Sequence, residues 1–278
     1  MKRKLTEKIL MTLLWLCTLG TVAALFLILG YVLIQGLPHI SLRFLTTSYA
    51  PGLGLEGIWA MIIGTLLLMG LTLVIAVPAG IFAAIYLSEY AKPSRFLSVL
   101  RFSIECLAGI PSILYGLFGF TFFVVFLKLQ FSLISGALTL AIMILPLLIR
   151  TTEEALQSVP VSFREGSLAL GANQLVTLFR IVLPSAIPGI LTAVILSMGR
   201  IIGETAAVYY TAGTVPQVPL TASESTRSLA VHLYFLAKEG LDQGQAFASA
   251  TILIIIIAAL NLAAQGTANI LNRRLTGK

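Results

Sequence analysis

Long uncharged stretches alternate with short polar segments along the 278 residues of the chain. Six stretches contain no Asp, Glu, Lys or Arg, and each reaches or nearly reaches the ~20 residues that a helix needs to cross the hydrocarbon core of a bilayer. They occupy positions 9–38, 57–88, 106–127, 129–149, 181–199 and 243–272. The pattern predicts six transmembrane helices. The first follows a basic start, but its apolar run is about twice the ~7–15 residues of a signal-peptide core, so we expect a retained helix.

Composition supports the same class. Hydrophobic residues make up 58% of the chain and charged residues 10%, and the mean hydropathy is +1.00. Soluble domains carry roughly 25% charged residues, so the sequence predicts an all-α polytopic membrane protein. Cys17 and Cys106 fall in or beside different spans, which gives no support to a disulfide or metal framework. Since nucleotide-binding glycine loops and nucleophile elbows are also missing, we expect no catalytic residue, no metal site and no cofactor bound by this chain.

The basic residues divide unequally between the two sides of the predicted membrane topology. With six spans and a cytoplasmic N-terminus, only four fall outside: Arg43, Lys128, Arg227 and Lys238. Thirteen fall inside: Lys2, Arg3, Lys4, Lys8, Lys92, Arg95, Arg101, Arg150, Arg164, Arg180, Arg273, Arg274 and Lys278. This positive-inside bias predicts that both termini are cytoplasmic. The net charge of +7 therefore orients the protein, and we expect no nucleic-acid partner.

The inner segment 150–184 contains start and stop signals for short helices. Ser162 and Glu165 fit a capping box that would begin a helix, and Gly171 can take the left-handed conformation that ends one. Asn173 can cap the next helix, which has an apolar stripe at helical spacing formed by Leu175, Leu178, Phe179 and Val182. We expect Pro184 and Pro188 to redirect the chain into the fifth span.

This segment resembles the EAA loop of ABC transporter membrane subunits. The matching positions, all at the family spacing, are Glu165, Gly171, Ile181, Leu183 and Pro184. In that family the loop forms a coupling helix that sits in a cleft of a separate ATPase subunit, which binds ATP and Mg. The two alanines of the family motif are Gly166 and Ser167 here; both are small, although Gly166 costs up to ~1 kcal/mol of helix propensity. The alternative is an ordinary amphipathic helix at the membrane interface.

The fifth span contains two charges, Arg200 and Glu204, four positions apart. That spacing predicts one shared helix face. Because an ionisable side chain at the bilayer centre costs ~2.5–3.5 kcal/mol on insertion scales, we expect the pair to face a polar pathway together with Thr205. Gly199 and Gly203 repeat at the same interval and predict close approach of another backbone. The pair could be an internal ion pair that fixes packing, or Arg200 could bind an oxyanion while Glu204 orients it; the two interpretations are compatible.

Residues 199–206 (GRIIGETA) also resemble the fifth-helix signature of phosphate-specific ABC permeases. Similar segments are 84–91 (AIYLSEYA), 107–119 (LAGIPSILYGLFG) and 188–192 (PGILT). The resemblance implies a type I ABC importer permease fold, with a permease core at 57–266, an N-terminal helix and outer loop at 1–56, and a basic cytoplasmic tail at 267–278. It further implies a subunit of the bacterial cytoplasmic (inner) membrane. Of the two permease subunits in phosphate importers, the chain resembles the A subunit.

The same resemblance implies partners and a mechanism. The chain would pair with a second permease subunit, two copies of the ATPase and an extracytoplasmic phosphate-binding protein, and would import phosphate by alternating access. Glu89 and Glu105, at inner ends of spans, are interpreted as packing or topology residues, and His39 and His232 are assigned no role. Two alternatives remain: a permease for another oxyanion such as sulfate, molybdate or phosphonate, and a membrane sensor or scaffold that transports nothing.

Overall fold

The computed structural model describes residues 2–240 and 242–276, which are mostly helical. The α-helices are α1 (Lys2–Gly36), α2 (Leu42–Thr46), α3 (Trp59–Ile85), α4 (Arg95–Ala108), α5 (Ser112–Gly119), α6 (Leu133–Gln157), α7 (Val161–Ala169), α8 (Gln174–Thr177), α9 (Leu183–Ile202), α10 (Ala206–Thr211), α11 (Leu229–Glu239) and α12 (Gln243–Thr276). A two-residue strand on each side of a turn, β1 (Tyr49–Ala50) and β2 (Leu55–Glu56), forms an antiparallel pair before α3. The side chains of the basic residues at both ends, 2–4 and 273–278, lie outside the described residues.

Within the described residues, five helical stretches are long and apolar enough to cross a membrane: Glu7–His39, Trp59–Tyr90, Leu133–Gln157, Gln174–Ile202 and Gln243–Ala268. A sixth crossing results if the pair Arg95–Ala108 and Ser112–Phe126, bent by 99°, counts as one span. The predicted third span is therefore shorter than 106–127, because residues 106–108 belong to α4. Pro111 causes the change of direction, since proline has no amide hydrogen and disfavours helical geometry in the residue before it.

The core of the bundle lies where α3, α6 and α9 meet. Its fully buried side chains come from the middle of α3 and α6 and from the end of α9, for example Leu68, Leu140, Ile144 and Ile202. Close packing here depends on small residues: a Cβ on Gly136 of α6 would lie 2.7 Å from the Cβ of Ala212. The end of α9 is therefore buried in the middle of the helical bundle.

Helix α1 lies at the periphery of the bundle. Its apolar central part is exposed along its whole length, and it contacts α12 near its C-terminal end. There the Tyr31 and Phe247 rings meet edge to face at 5.5 Å, and the Thr251 hydroxyl donates a hydrogen bond to the Val32 carbonyl at 3.2 Å. The exposed sides of α1 are available to lipid or to another membrane subunit.

Pro184 and Pro188 do not redirect the chain, contrary to the sequence-based expectation. Helix α8, a π-helical turn at Leu178–Val182 and α9 form one continuous helical stretch. Pro184 occupies the first turn of α9, where a missing amide hydrogen costs little. The wide turn before it makes room for the pyrrolidine ring, which would clash with a carbonyl in an uninterrupted α-helix.

Candidate functional site

The first candidate site is the inner segment 150–184, in which α7 begins two residues earlier than the capping-box prediction requires. Pro160 is the N-cap, with φ −54° and ψ 135°, and no side chain caps the helix. The predicted capping box is therefore wrong. Ser162 is already the second helical residue, so its hydroxyl cannot take the N-cap position, and the side chain of Glu165 is exposed.

The predicted end of α7 is confirmed. Gly171 has φ +87°, its amide donates to the Leu168 carbonyl at 2.9 Å, and the Ala172 amide donates to the Ser167 carbonyl at 3.2 Å. This pair of bonds is the Schellman motif, which favours glycine at the left-handed position. The predicted cap of the next helix is also present, since the Asn173 side chain accepts from the Val176 amide at 2.8 Å.

Helix α7 is exposed along most of its surface and has no buried residue. Apolar side chains project from it and from the turn that follows: Val161, Phe163, Leu168 and Leu170 are all at least half exposed, and Leu170 is 91% exposed. An exposed apolar group of this kind is typical of a surface that binds another protein.

A groove of about 810 Å³ separates α7 from the start of α9. Five of the predicted coupling positions line it: Ser162, Gly166, Ser167, Ile181 and Pro184. The other three lie elsewhere, because Glu165 is on the exposed side, Gly171 is in the turn, and Leu183 packs against the apolar cluster beneath. Most positions of the sequence motif therefore line one groove on the surface, and the remaining three do not.

Sequence reasoning missed the contact that holds α7 in place. Arg164 of α7 binds Glu89, which lies in a π-helical turn (Tyr86–Tyr90) at the end of α3, with 2.8 Å between Nη2 and Oε1. Glu89 was interpreted as a packing or topology residue, which agrees with this position. The 75 positions between the two residues hide the pair from any local pattern.

The second candidate site is a break in the helical chain at the end of α9. The expectation that Arg200 and Glu204 share one helix face is wrong, because α9 ends at Ile202 and Gly203 is its C-cap. The Glu204 carboxylate accepts a hydrogen bond from the Ala207 amide at 3.3 Å and so caps α10. Among the described residues no ion pair joins Arg200 to Glu204.

The expected close packing at Gly199 and Gly203 is also wrong within this chain. A Cβ on Gly199 would meet no atom within 4 Å, and one on Gly203 would meet only the Gly199 carbonyl, at 3.7 Å. The close contact comes instead from α5, where a Cβ on Gly116 would lie 3.0 Å from Cα of Ala207 and 3.1 Å from the Ala206 carbonyl. Helix α5 therefore packs directly against the break.

The break lies deep inside the bundle. Ile201 and Ile202 are buried in the core cluster with residues from the middle of α3 and α6, and Arg200 lies close enough to Tyr115 of α5 to act on its hydroxyl electrostatically. Thr205, the N-cap of α10, is half-buried. Irregular backbone at such depth is tolerated where it is buried in protein or lines a water-filled cavity, and an ionisable residue there marks a substrate or ion pathway by default.

A further polar cluster lies at the start of α11. The Arg227 Nε donates to the Thr214 carbonyl at 2.6 Å, and its guanidinium carbon lies 4.7 Å from the centre of the Phe235 ring. His232 is fully buried beside it, with Nδ1 3.4 Å from Arg227 Nη1. Burial, and secondly the positive charge of Arg227, lower the pKa of His232 to about 3, so this histidine is neutral.

Comparison with known proteins decides the family. Residues 76–277 match the family model described as "Binding-protein-dependent transport system inner membrane component". The chain belongs to this family. It is a permease subunit of an ABC importer in the inner membrane, a class in which a separate ATPase subunit hydrolyses ATP and a substrate-binding protein delivers the cargo.

Curated relatives match nearly the whole permease. It is 32% identical to the "Probable ABC transporter permease protein YqgI" of Bacillus subtilis, over 99% of each chain. It is 35% identical to the "Phosphate transport system permease protein PstA" of Pasteurella multocida, over 95% of this chain and 94% of the relative. The predicted resemblance to phosphate permeases is confirmed.

Solved structures confirm the fold. The permease is similar to a chain of a bacterial ABC transporter involved in the import of the acidic polysaccharide alginate, with a TM-score of 0.65 over 92% of this chain and 95% of that one. At 16% identity the likeness concerns the fold alone. That fold is the type I ABC importer permease.

Proposed function

We propose that this permease subunit translocates inorganic phosphate across the bacterial cytoplasmic membrane by alternating access. The observation that carries the proposal is the 35% identity, over 95% of the chain, to a protein named as a phosphate transport permease. Relatives with the same name occur in other bacteria, among them Haemophilus influenzae, at 32% identity over 91% of the chain.

Arg200 is the proposed contact for the anion. It lies at the deep helix break, its charge acts on the Tyr115 hydroxyl, and within the described residues no carboxylate forms an ion pair with it. A guanidinium stays charged in such a place and matches the geometry of phosphate oxygens. Because Glu204 caps α10 instead of pairing with Arg200, its proposed role is to hold the break in shape, with Thr205 beside the pathway.

The inner segment 150–184 is the proposed docking surface for the ATPase. Its exposed apolar residues and the groove beside α7 offer a partner both an apolar contact and a recess. The exposed carboxylate of Glu165 would add a charged contact at the edge. This assignment places the segment in the cytoplasm, and the positive-inside bias then puts both termini there as well.

The complete importer would contain this chain, a second permease subunit of the PstC type, two ATPase copies and an extracytoplasmic phosphate-binding protein. The exposed face of α1 and the open surface at Gly199 are available to membrane partners. A permease for sulfate, molybdate or phosphonate is the second candidate, because Arg200 would bind any tetrahedral oxyanion.

The cargo is tested by reconstituting the chain with its three kinds of partner in liposomes and measuring ATP-dependent uptake of labelled phosphate. Unlabelled phosphate, sulfate, molybdate and a phosphonate are added in turn as competitors. Inhibition by phosphate alone is the expected result. Uptake of another oxyanion in place of phosphate would keep the importer and correct its cargo, whereas intact assembly without any uptake would favour the sensor or scaffold.

A further inference from the structure

A partly buried ionic contact connects α7 to the membrane helices. Its two side chains, Arg164 and Glu89, are 21% and 12% exposed. The contact is bidentate, since Nη2 of Arg164 lies 2.8 Å from Oε1 of Glu89 and Nε lies 3.4 Å from Oε2. Paired contacts of this kind fix the relative orientation of both groups as well as their distance.

The remaining donors of Arg164 bind the end of α6. Nη2 donates to the Leu156 carbonyl and Nη1 to the Val159 carbonyl, each at 2.8 Å. These carbonyls lie at and just beyond the last turn of α6, where helical acceptors lack the i+4 amide of a continuing helix. All three guanidinium nitrogens are therefore engaged, and Arg164 joins α7 to α3 and α6 at once.

Glu89 makes a third connection through its backbone. Its carbonyl accepts a hydrogen bond from the Gln174 side chain, at 2.9 Å, in the first turn of α8. Residues Glu89, Arg164 and Gln174, with the carbonyls of Leu156 and Val159, are called the Glu89 clamp below. The clamp holds α7 and the start of α8 against the inner end of α3.

The Arg164–Glu89 pair is less exposed than the ion pair between Arg150 and Glu105. Arg150 and Glu105 also join two helices, with 3.1 Å between Nη1 and Oε1, but both side chains are 56% exposed. Exposed pairs contribute little because water screens them, whereas removing one partner of a buried pair leaves an uncompensated charge. Glu105 therefore provides a matched control for Glu89.

We infer that Glu89 is a positioning residue that makes α7 move as one body with the inner ends of α3 and α6. Without it, a displacement of α7 by the ATPase would be absorbed in the turns at residues 158–160 and 170–173. The inference rests on the proposed docking of segment 150–184 on the ATPase. Through the clamp, a displacement of α7 would move α3 and α6, which supply most of the buried side chains around the end of α9.

The test uses the complete importer in liposomes and measures phosphate imported per ATP hydrolysed. Glu89→Gln keeps the shape of the side chain and removes its charge; we expect a roughly tenfold lower ratio, a usual size for coupling between sites. The milder Gln174→Ala should lower the ratio about twofold to threefold, as expected for one lost hydrogen bond, and Glu105→Gln should leave it unchanged. A merely structural role would reduce the amount of assembled complex and leave the ratio per complex as it is; a wild-type ratio in Glu89→Gln overturns the inference.

Failure of the clamp can be told apart from failure of the proposed function. If the wild-type importer carries another oxyanion, the same ratio is measured with that anion. A second measurement needs assembly only: spin labels at Ala169→Cys and Tyr86→Cys, with the free cysteines Cys17 and Cys106 replaced by serine, report the distance between α7 and the end of α3. We expect one narrow distance distribution in the otherwise unchanged chain and a broad one in Glu89→Gln; equal widths would contradict the clamp.

Discussion

Arg200 and Arg227 are both only partly exposed, but their surroundings differ. Arg227 donates to a backbone carbonyl and lies against an aromatic ring, so its donors are partly used and its role is structural. Among the described residues, no carboxylate forms an ion pair with Arg200, and its charge acts on the Tyr115 hydroxyl of α5. A guanidinium with open donors at the depth of the core is suited to a passing anion.

His232 provides a prediction about the pH dependence of stability. Its pKa is about 3 in the folded permease, against 6.5 ordinarily. Below about pH 6.5 the histidine is therefore protonated in the unfolded chain but stays neutral in the folded chain. Stability is therefore complete above that pH and declines as the pH falls towards 3, by about 1.4 kcal/mol per unit, or about 2 kcal/mol at pH 5. Thermal unfolding of the purified permease between pH 7.5 and 5 measures the loss.

The control for this prediction is a second histidine. His39→Gln, at an exposed position, should show the same loss as wild type, whereas His232→Gln should lose less stability over that pH range. Equal losses in wild type and His232→Gln would show that another group is responsible.

At the scale of elements, α7 depends on the turn that ends it. Gly171 has φ +87°, which costs a residue with a Cβ roughly 1–2 kcal/mol. We expect Gly171→Ala to loosen the turn and lower phosphate imported per ATP by about fivefold, with assembly preserved. Gly171→Asn is the matched control, because asparagine tolerates the left-handed region, and it should stay near wild type. A wild-type ratio in the alanine variant would mean that this turn does not transmit force.

The sequence predicts those parts of the fold that depend on local patterns. Uncharged runs identify the spans, and Gly171 and Asn173 identify the end of one helix and the start of the next. The capping box at Ser162 failed because Pro160, two residues earlier, already has the geometry that begins a helix. Long-range contacts leave no such pattern, so the Arg164–Glu89 pair could not be predicted.

The assignment of 199–206 to a pathway stays a prediction, whereas the predicted shape of this segment is wrong. The four-residue spacing of Arg200 and Glu204 suggested a continuous helix. The chain breaks after Ile202, because Gly203 ends α9 and Glu204 caps α10. The small residue that permits close packing is Gly116, which lies on α5, far away in sequence.

At the scale of the whole molecule, the two candidate sites lie on the same helical stretch. The stretch Gln174–Ile202 begins within the inner segment 150–184 and ends at the break that follows Arg200. Helices α3 and α6 pack along this stretch. A displacement of the inner segment 150–184 can therefore be transmitted through packed helices to the proposed anion contact. This arrangement would join the proposed ATPase-docking surface and the proposed anion contact within one subunit.

The most direct test of the account is phosphate uptake by the reconstituted importer that carries Arg200→Gln. We expect uptake to fall roughly 30-fold or more, since loss of a charged contact to a desolvated anion costs at least about 2 kcal/mol, while assembly and ATP hydrolysis persist. Arg95→Gln, an exposed arginine at the start of α4, is the control and should import at the wild-type rate. Normal uptake with Arg200→Gln would contradict the account, because phosphate would then pass without its proposed Arg200 contact.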